Sequence, residues 1–79
     1  MIERAPELVD IALINRGTSP GLWPDIQLQG EIQAVDLLHG YESSGDRPGQ
    51  YSAPSQTIEA NATTVIGWAR GRNIAVATH

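Results

Sequence analysis

The sequence has no cysteine, no lysine and no phenylalanine, and each absence closes off a class of protein. Without cysteine there is no disulfide framework, no thiolate zinc site and no cysteine nucleophile. Small extracellular domains are commonly stapled by disulfides, so a chain without them is expected in a reducing, cytoplasmic compartment. Without lysine there is neither a Schiff-base nucleophile nor a phosphate-loop lysine. Aromatic surface is scarce, because the chain has only two tryptophans and two tyrosines. No stretch approaches the roughly 20 apolar residues of a membrane helix. The start, Met1-Ile2-Glu3-Arg4-Ala5-Pro6-Glu7, lacks the cationic and then apolar pattern of a signal peptide. Gly67-x-x-x-Gly71 has the small-residue spacing of membrane helix dimers, but Arg70 and Arg72 lie beside it and no apolar 20-mer surrounds it.

Catalytic constellations are missing as well. No serine stands in a Gly-x-Ser-x-Gly elbow, and no glycine-rich loop could cradle a phosphate. His39 follows Asp36 at helical spacing, yet a metal site needs three or four convergent ligands, and nothing supplies the others. At 79 residues the chain is expected to form a single small domain, 1–79, with a thin core and no room for a deep cleft. These readings predict a protein that is not an enzyme and uses no cofactor and no metal.

The charge that is present is acidic, with a formal net of −4. Residues 1–50 hold every acid except Glu59, whereas Arg70 and Arg72 lie in the remainder. An acidic body repels phosphate backbones, which disfavours nucleic acid as a partner and suits a protein with a basic surface.

Local patterns predict an α+β fold in which an N-terminal helix packs on a short antiparallel sheet ending in a C-terminal β-hairpin. The helix is expected over 6–16. Pro6 suits a first helical position, Glu7 and Asp10 the early turns, Arg16 the last turn, and Gly17 the stop. Leu8, Ile11, Ala12 and Asn15 follow helical spacing. From Ile26 to Ala34 the alternation of apolar and polar residues predicts a half-buried strand, although Leu28, Ile32, Val35 and His39 also fit a helix ending at Gly40. Residues 40–55 read as a long irregular loop holding a type II turn at Arg47-Pro48-Gly49-Gln50, with Tyr41 and Tyr51 facing one another at its base. Strands over 63–69 and 74–78, joined by a tight turn at Arg70-Gly71-Arg72-Asn73, form the expected hairpin. On this reading the core takes the ring of Trp68.

The candidate partner-binding residues are Trp23, Tyr41, Arg47, Tyr51, Arg70 and Arg72. Tryptophan, tyrosine and arginine are the residue types enriched at interface hot spots. The function expected is that of a small protein-binding domain, such as a phage- or bacteria-encoded inhibitor or antitoxin that occupies a surface of a larger protein. Two alternatives come from other classes: a structural or assembly subunit of the small-virion type, and a nucleic-acid-associated module using the Arg70–Arg72 hairpin tip. A thin core also predicts a homodimer or a hetero-complex.

Overall fold

The computed structural model describes residues 4–78 and contains no helix among them. Strands β1 (Glu7–Ile14), β2 (Gly21–Leu22), β3 (Ile26–Leu37), β4 (Glu42–Ser43), β5 (Gln50–Ser52), β6 (Thr57–Ile58) and β7 (Thr63–Thr78) follow one another along the chain. They form a five-stranded sheet in the order β1-β7-β3-β5-β4 and a two-stranded sheet of β2 and β6, antiparallel at every pairing. The expected α+β class is therefore corrected to all-β.

The N-terminal segment is a strand because its two-residue period is the one the core rewards. Ile11 and Leu13 are buried and Val9 packs against them, while Leu8, Asp10, Ala12 and Ile14 alternate with them toward solvent. Val9, Ile11 and Ile14 are β-branched, which suits the pleat. The apolar residues of this segment satisfy both a helical and a strand period, so local pattern alone does not separate them. Pairing with β7 settles the matter, since it supplies ladder hydrogen bonds along one side of the segment from Glu7 to Ile14. Asn15 ends the strand. Its Oδ1 accepts from the Gly17 amide at 2.9 Å, and its Nδ2 donates to the carbonyls of Ser19 at 2.9 Å and Ile58 at 3.0 Å.

The expected C-terminal hairpin does not form. β7 runs unbroken through Arg70-Gly71-Arg72-Asn73, with β1 on one side and β3 on the other. The glycine and asparagine that read as a tight turn serve two other purposes. Gly71 allows β3 to come close, because a Cβ there would lie well under 3.0 Å from the Glu31 carbonyl oxygen. Asn73, at φ 54°, takes the left-handed conformation at a bulge opposite Gly30. A second irregularity lies between Ile32 and Ala34.

These bulges bend the β3–β7 ribbon. A straight strand as long as β3 would measure about 40 Å. Yet the Tyr41 hydroxyl, just past its end, donates to the Pro24 carbonyl, just before its start, at 2.7 Å. At about 3.5 Å per extended residue the link from Leu37 to Tyr41 cannot cover that length, so β3 must curl. The curl gathers Ile11, Leu13, Trp23, Ile26, Leu28, Tyr41, Ile58, Ile66 and Ala69 into one buried cluster.

The strand expected at 26–34 is present and extends to Leu37, so no part of 31–39 is helical. Beyond it, His39 (φ 63°) and Gly40 (φ 98°) make a tight turn closed by the Tyr41 amide on the Leu38 carbonyl. The segment expected to be an irregular loop, 40–55, is mostly a small hairpin of β4 and β5, docked on β3 through Ile26↔Tyr51 and Gln27↔Gln50. The turn at 47–50 is as expected: Gln50 donates to the Arg47 carbonyl at 3.2 Å, and Gly49 sits at φ 81°.

Gly71→Ala is expected to cost at least about 2 kcal/mol, the range of overpacked core sites, because its methyl group meets a backbone oxygen that cannot move without breaking the ladder. Gly45, whose added Cβ would meet nothing within 4 Å, is the control, and its alanine variant should lie within about 0.5 kcal/mol of the wild type. Urea denaturation of both variants tests this.

Candidate functional site

Of the residues singled out in the sequence, two belong to the core. Trp23 and Tyr41 are 8% and 7% exposed. Their rings stack at 5.9 Å with 18° between planes, and the His39 ring meets the edge of Trp23 at 6.1 Å. Tyr41 thus faces Trp23 and not Tyr51. Its hydroxyl is held by Pro24, and burial, reinforced by the nearby charge of Asp25, raises its pKa above the ordinary value of 10.0. The same corner is tied by the Ala53 amide, which donates to Asp25 Oδ1 at 2.7 Å. His39 serves in this packing, and no group of three or more histidine or carboxylate side chains able to hold a metal occurs among the described residues.

Arg47 and Tyr51 come together at the β4–β5 hairpin. They line a shallow groove with Asp25, Ser44, Gln50 and Ser52, and Tyr51 also borders a second one with Leu28, Gly30 and Pro48. Neither groove converges polar groups on a reacting centre. Arg70 and Arg72 part company, because they are not at a hairpin tip. Arg72 is half-buried, donates through Nε to the Arg4 carbonyl, and lies 3.6 Å from the mostly exposed Glu31 carboxylate. Such a partly solvated ion pair contributes little to stability. Arg70 lies exposed on the other face of the sheet.

That outer face is the most distinctive surface of the molecule. Its rows follow from the strand register. Leu8, Arg70 and Ala34 lie side by side across β1, β7 and β3; Asp10, Trp68 and Asp36 form the next row; Ala12 with Val65 and Ile14 with Thr63 continue it. Side chains directly opposite in a sheet have Cβ atoms about 4.5–5.5 Å apart, so both carboxylates flank the indole. Leu8 is 68% exposed, Ile14 56%, Val65 49% and Trp68 36%. Nothing among the described residues covers this face, and among them the side chains of Asp10, Asp36 and Arg70 have no hydrogen-bond or ion-pair partner.

Trp68 was expected in the core. It points outward because of a bulge on β7: Ile11 faces Gly67 while Ala12 faces Val65, which leaves Ile66 as the extra residue. Burial therefore switches from Thr64 and Ile66 to Gly67, Ala69 and Gly71, and residues 68 and 70 turn to solvent. Gly67 is the signal, since an isolated glycine in a strand pattern marks a bulge or a close backbone approach.

Scans against protein-family models, curated proteins and solved structures each found no match. No helix among the described residues is long and apolar enough to cross a membrane.

Two predictions follow from the core aromatics. Because Tyr41 is favoured neutral in the fold, its contribution is complete below pH 10 and is lost as pH rises through the raised value. Thermal melts of the wild type should therefore fall more steeply above pH 10 than those of Tyr41→Phe. The Trp23 indole nitrogen is buried with no hydrogen-bond partner among the described residues. Trp23→Phe should thus cost far less than Trp23→Ala, which is expected to lose about 3–5 kcal/mol as for other buried aromatics; urea midpoints compare the two.

Proposed function

We propose that this chain is a non-enzymatic protein-binding domain that acts by laying the outer face of its sheet on a larger protein. The observation that carries the reading is the uncovered row Asp10–Trp68–Asp36, set among Leu8, Ile14 and Val65. An exposed apolar patch rimmed by polar groups is the usual mark of an interaction site. The two carboxylates give it a sign. A partner arginine or lysine lying over the indole would gain a cation–π contact and two charged acceptors together. A partner with basic residues on an apolar surface fits this face and agrees with the acidic balance of the chain.

The setting that goes with this reading is the reducing cytoplasm of a bacterium, with the chain as a host- or phage-encoded inhibitor or antitoxin. Its support is the cysteine-free, lysine-free composition. The nucleic-acid alternative loses its basis, because Arg70 and Arg72 do not project from a common tip. A structural or assembly subunit is the second reading. The open edge of β1 favours it.

The test is a pull-down from a bacterial lysate with the wild type beside Trp68→Ser and Asp10→Lys/Asp36→Lys. A protein retained in stoichiometric amount by the wild type and lost by both variants, with thermal midpoints within a few degrees, supports the reading. Equal retention by all three chains rejects the outer face as the binding surface.

A further inference from the structure

We propose that β1 is a dimerisation strand, pairing antiparallel with β1 of a second copy so that two five-stranded sheets join into one. This goes beyond the reading of the outer face and does not depend on it, because the surface in question is the edge of the sheet.

The argument begins with unpaired backbone. β1 lies at one end of the strand order, and β7 is its only hydrogen-bonded neighbour among the described residues. The N–H and C=O groups along its other side form a template for a further strand. On the opposite side β4 spans only Glu42–Ser43 and β5 covers β3 only at Ile26 and Gln27, and the stretch of β3 left open beyond them is interrupted by Gly30 at φ 111° and by the irregularity between Ile32 and Ala34. β1 has none of those protections. It runs Glu7–Ile14, contains no proline and no lysine, and stays regular, because the bulge at Ile11/Ala12 places its extra residue on β7.

The second step is register. Residues opposite one another across an antiparallel pair share a face of the sheet. A two-fold axis perpendicular to the sheet must therefore match inward residues with inward and outward with outward. Four centres meet this condition over five residues or more, of which Val9 spans only Glu7 through Ile11 and sets Leu8 against Asp10. Centring on Asp10 sets Asp10 against its own copy, which like-charge repulsion disfavours. Centring on Ala12 shortens the overlap to Asp10 through Ile14. Centring on Ile11 pairs the strand from Leu8 to Ile14: Leu8 meets Ile14 of the second copy, Val9 meets Leu13, Asp10 meets Ala12, and Ile11 meets Ile11. No charge opposes a charge, and every inward pair is apolar. The arrangement is isologous and closes at two copies. The core clusters would then meet at Ile11, and the outer faces would become one continuous surface carrying two Trp68 rows.

Leu8 and Ile14 are the residues to change, since both are mostly exposed in the single chain and substitutions there leave its fold intact. Sedimentation velocity from micromolar to several hundred micromolar is expected to show the wild type moving from 8.5 kDa to twice that mass. Leu8→Lys/Ile14→Lys sets ammonium against ammonium at both ends of the pairing and should weaken the dimer by roughly tenfold or more. Leu8→Lys/Ile14→Glu sets ammonium against carboxylate and should restore it. Circular dichroism and melts confirm that both variants fold. A wild type that stays at 8.5 kDa over the whole range overturns the proposal. So does a dimer that survives the lysine pair, or one lost equally in both variants, because the first is not made by this edge and the second is not made in this register. Slower amide exchange in β1 with rising concentration is the independent expected result. Loss of binding by Trp68→Ser with the dimer intact would show that the two surfaces are separate.

Discussion

The close approach of the β3 backbone to two glycines of β7 is the constraint on which the remaining structure rests. The carbonyl oxygens of Asp36 and Glu31 lie where Cβ atoms would stand on Gly67 and Gly71. With those atoms absent, the central strand can be flanked tightly on its inner side. Three consequences follow along the same strand. The bulge beside Gly67 turns Trp68 and Arg70 outward, the bulge at Asn73 starts the bend of the ribbon, and between them Ala69 sinks to complete burial. The outer face owes its character to that change of phase.

The bend has its own requirements. Curling β3 back on itself brings segments from both its ends into one corner, and that corner must satisfy its polar groups. Tyr41 on Pro24, Ala53 on Asp25 and Gln56 on the His39 carbonyl do this around the Trp23 ring. Asn15 performs the same service nearby, linking the exit of β1 to β6 through Ile58. These contacts explain how a chain with a thin core and several very short strands can hold one arrangement. β6 is fixed by Asn15, and the exit of β5 by Asp25, as well as by their ladders.

Much of the strand content is legible in the residues themselves. The strict alternation of Ile26 to Ala34 and the β-branched run from Thr63 report their strands directly, and Pro48-Gly49 reports its turn. What cannot be read locally is whatever depends on a partner distant in sequence. Glu7–Ile14 carries start and stop residues suited to a helix, and only β7 makes it a strand. Arg70-Gly71-Arg72-Asn73 has the composition of a tight turn, and only the nearness of Glu31 and Gly30 reveals a bulged, continuous strand. The outer-face site was hidden for the same reason, since its members come from three strands and its direction is set by one inserted residue. The tyrosines and Trp23, conspicuous in the sequence, are largely spent on packing.

The pairing of β1 with β7 also fixes an order of events during synthesis. Among the described strands β1 leaves the ribosome first, yet its one neighbour among them, β7, follows all the others. Until β7 emerges, the nascent chain holds an apolar strand with both edges open, and β3 is in the same position toward its principal partner. The sheet therefore cannot assemble progressively from its N-terminal end. It must form late and in one cooperative step dominated by contacts distant in sequence, the kind of topology that folds slowly. During that interval Glu7–Ile14 exposes apolar side chains and unpaired backbone together, the combination that makes incompletely folded chains prone to aggregate.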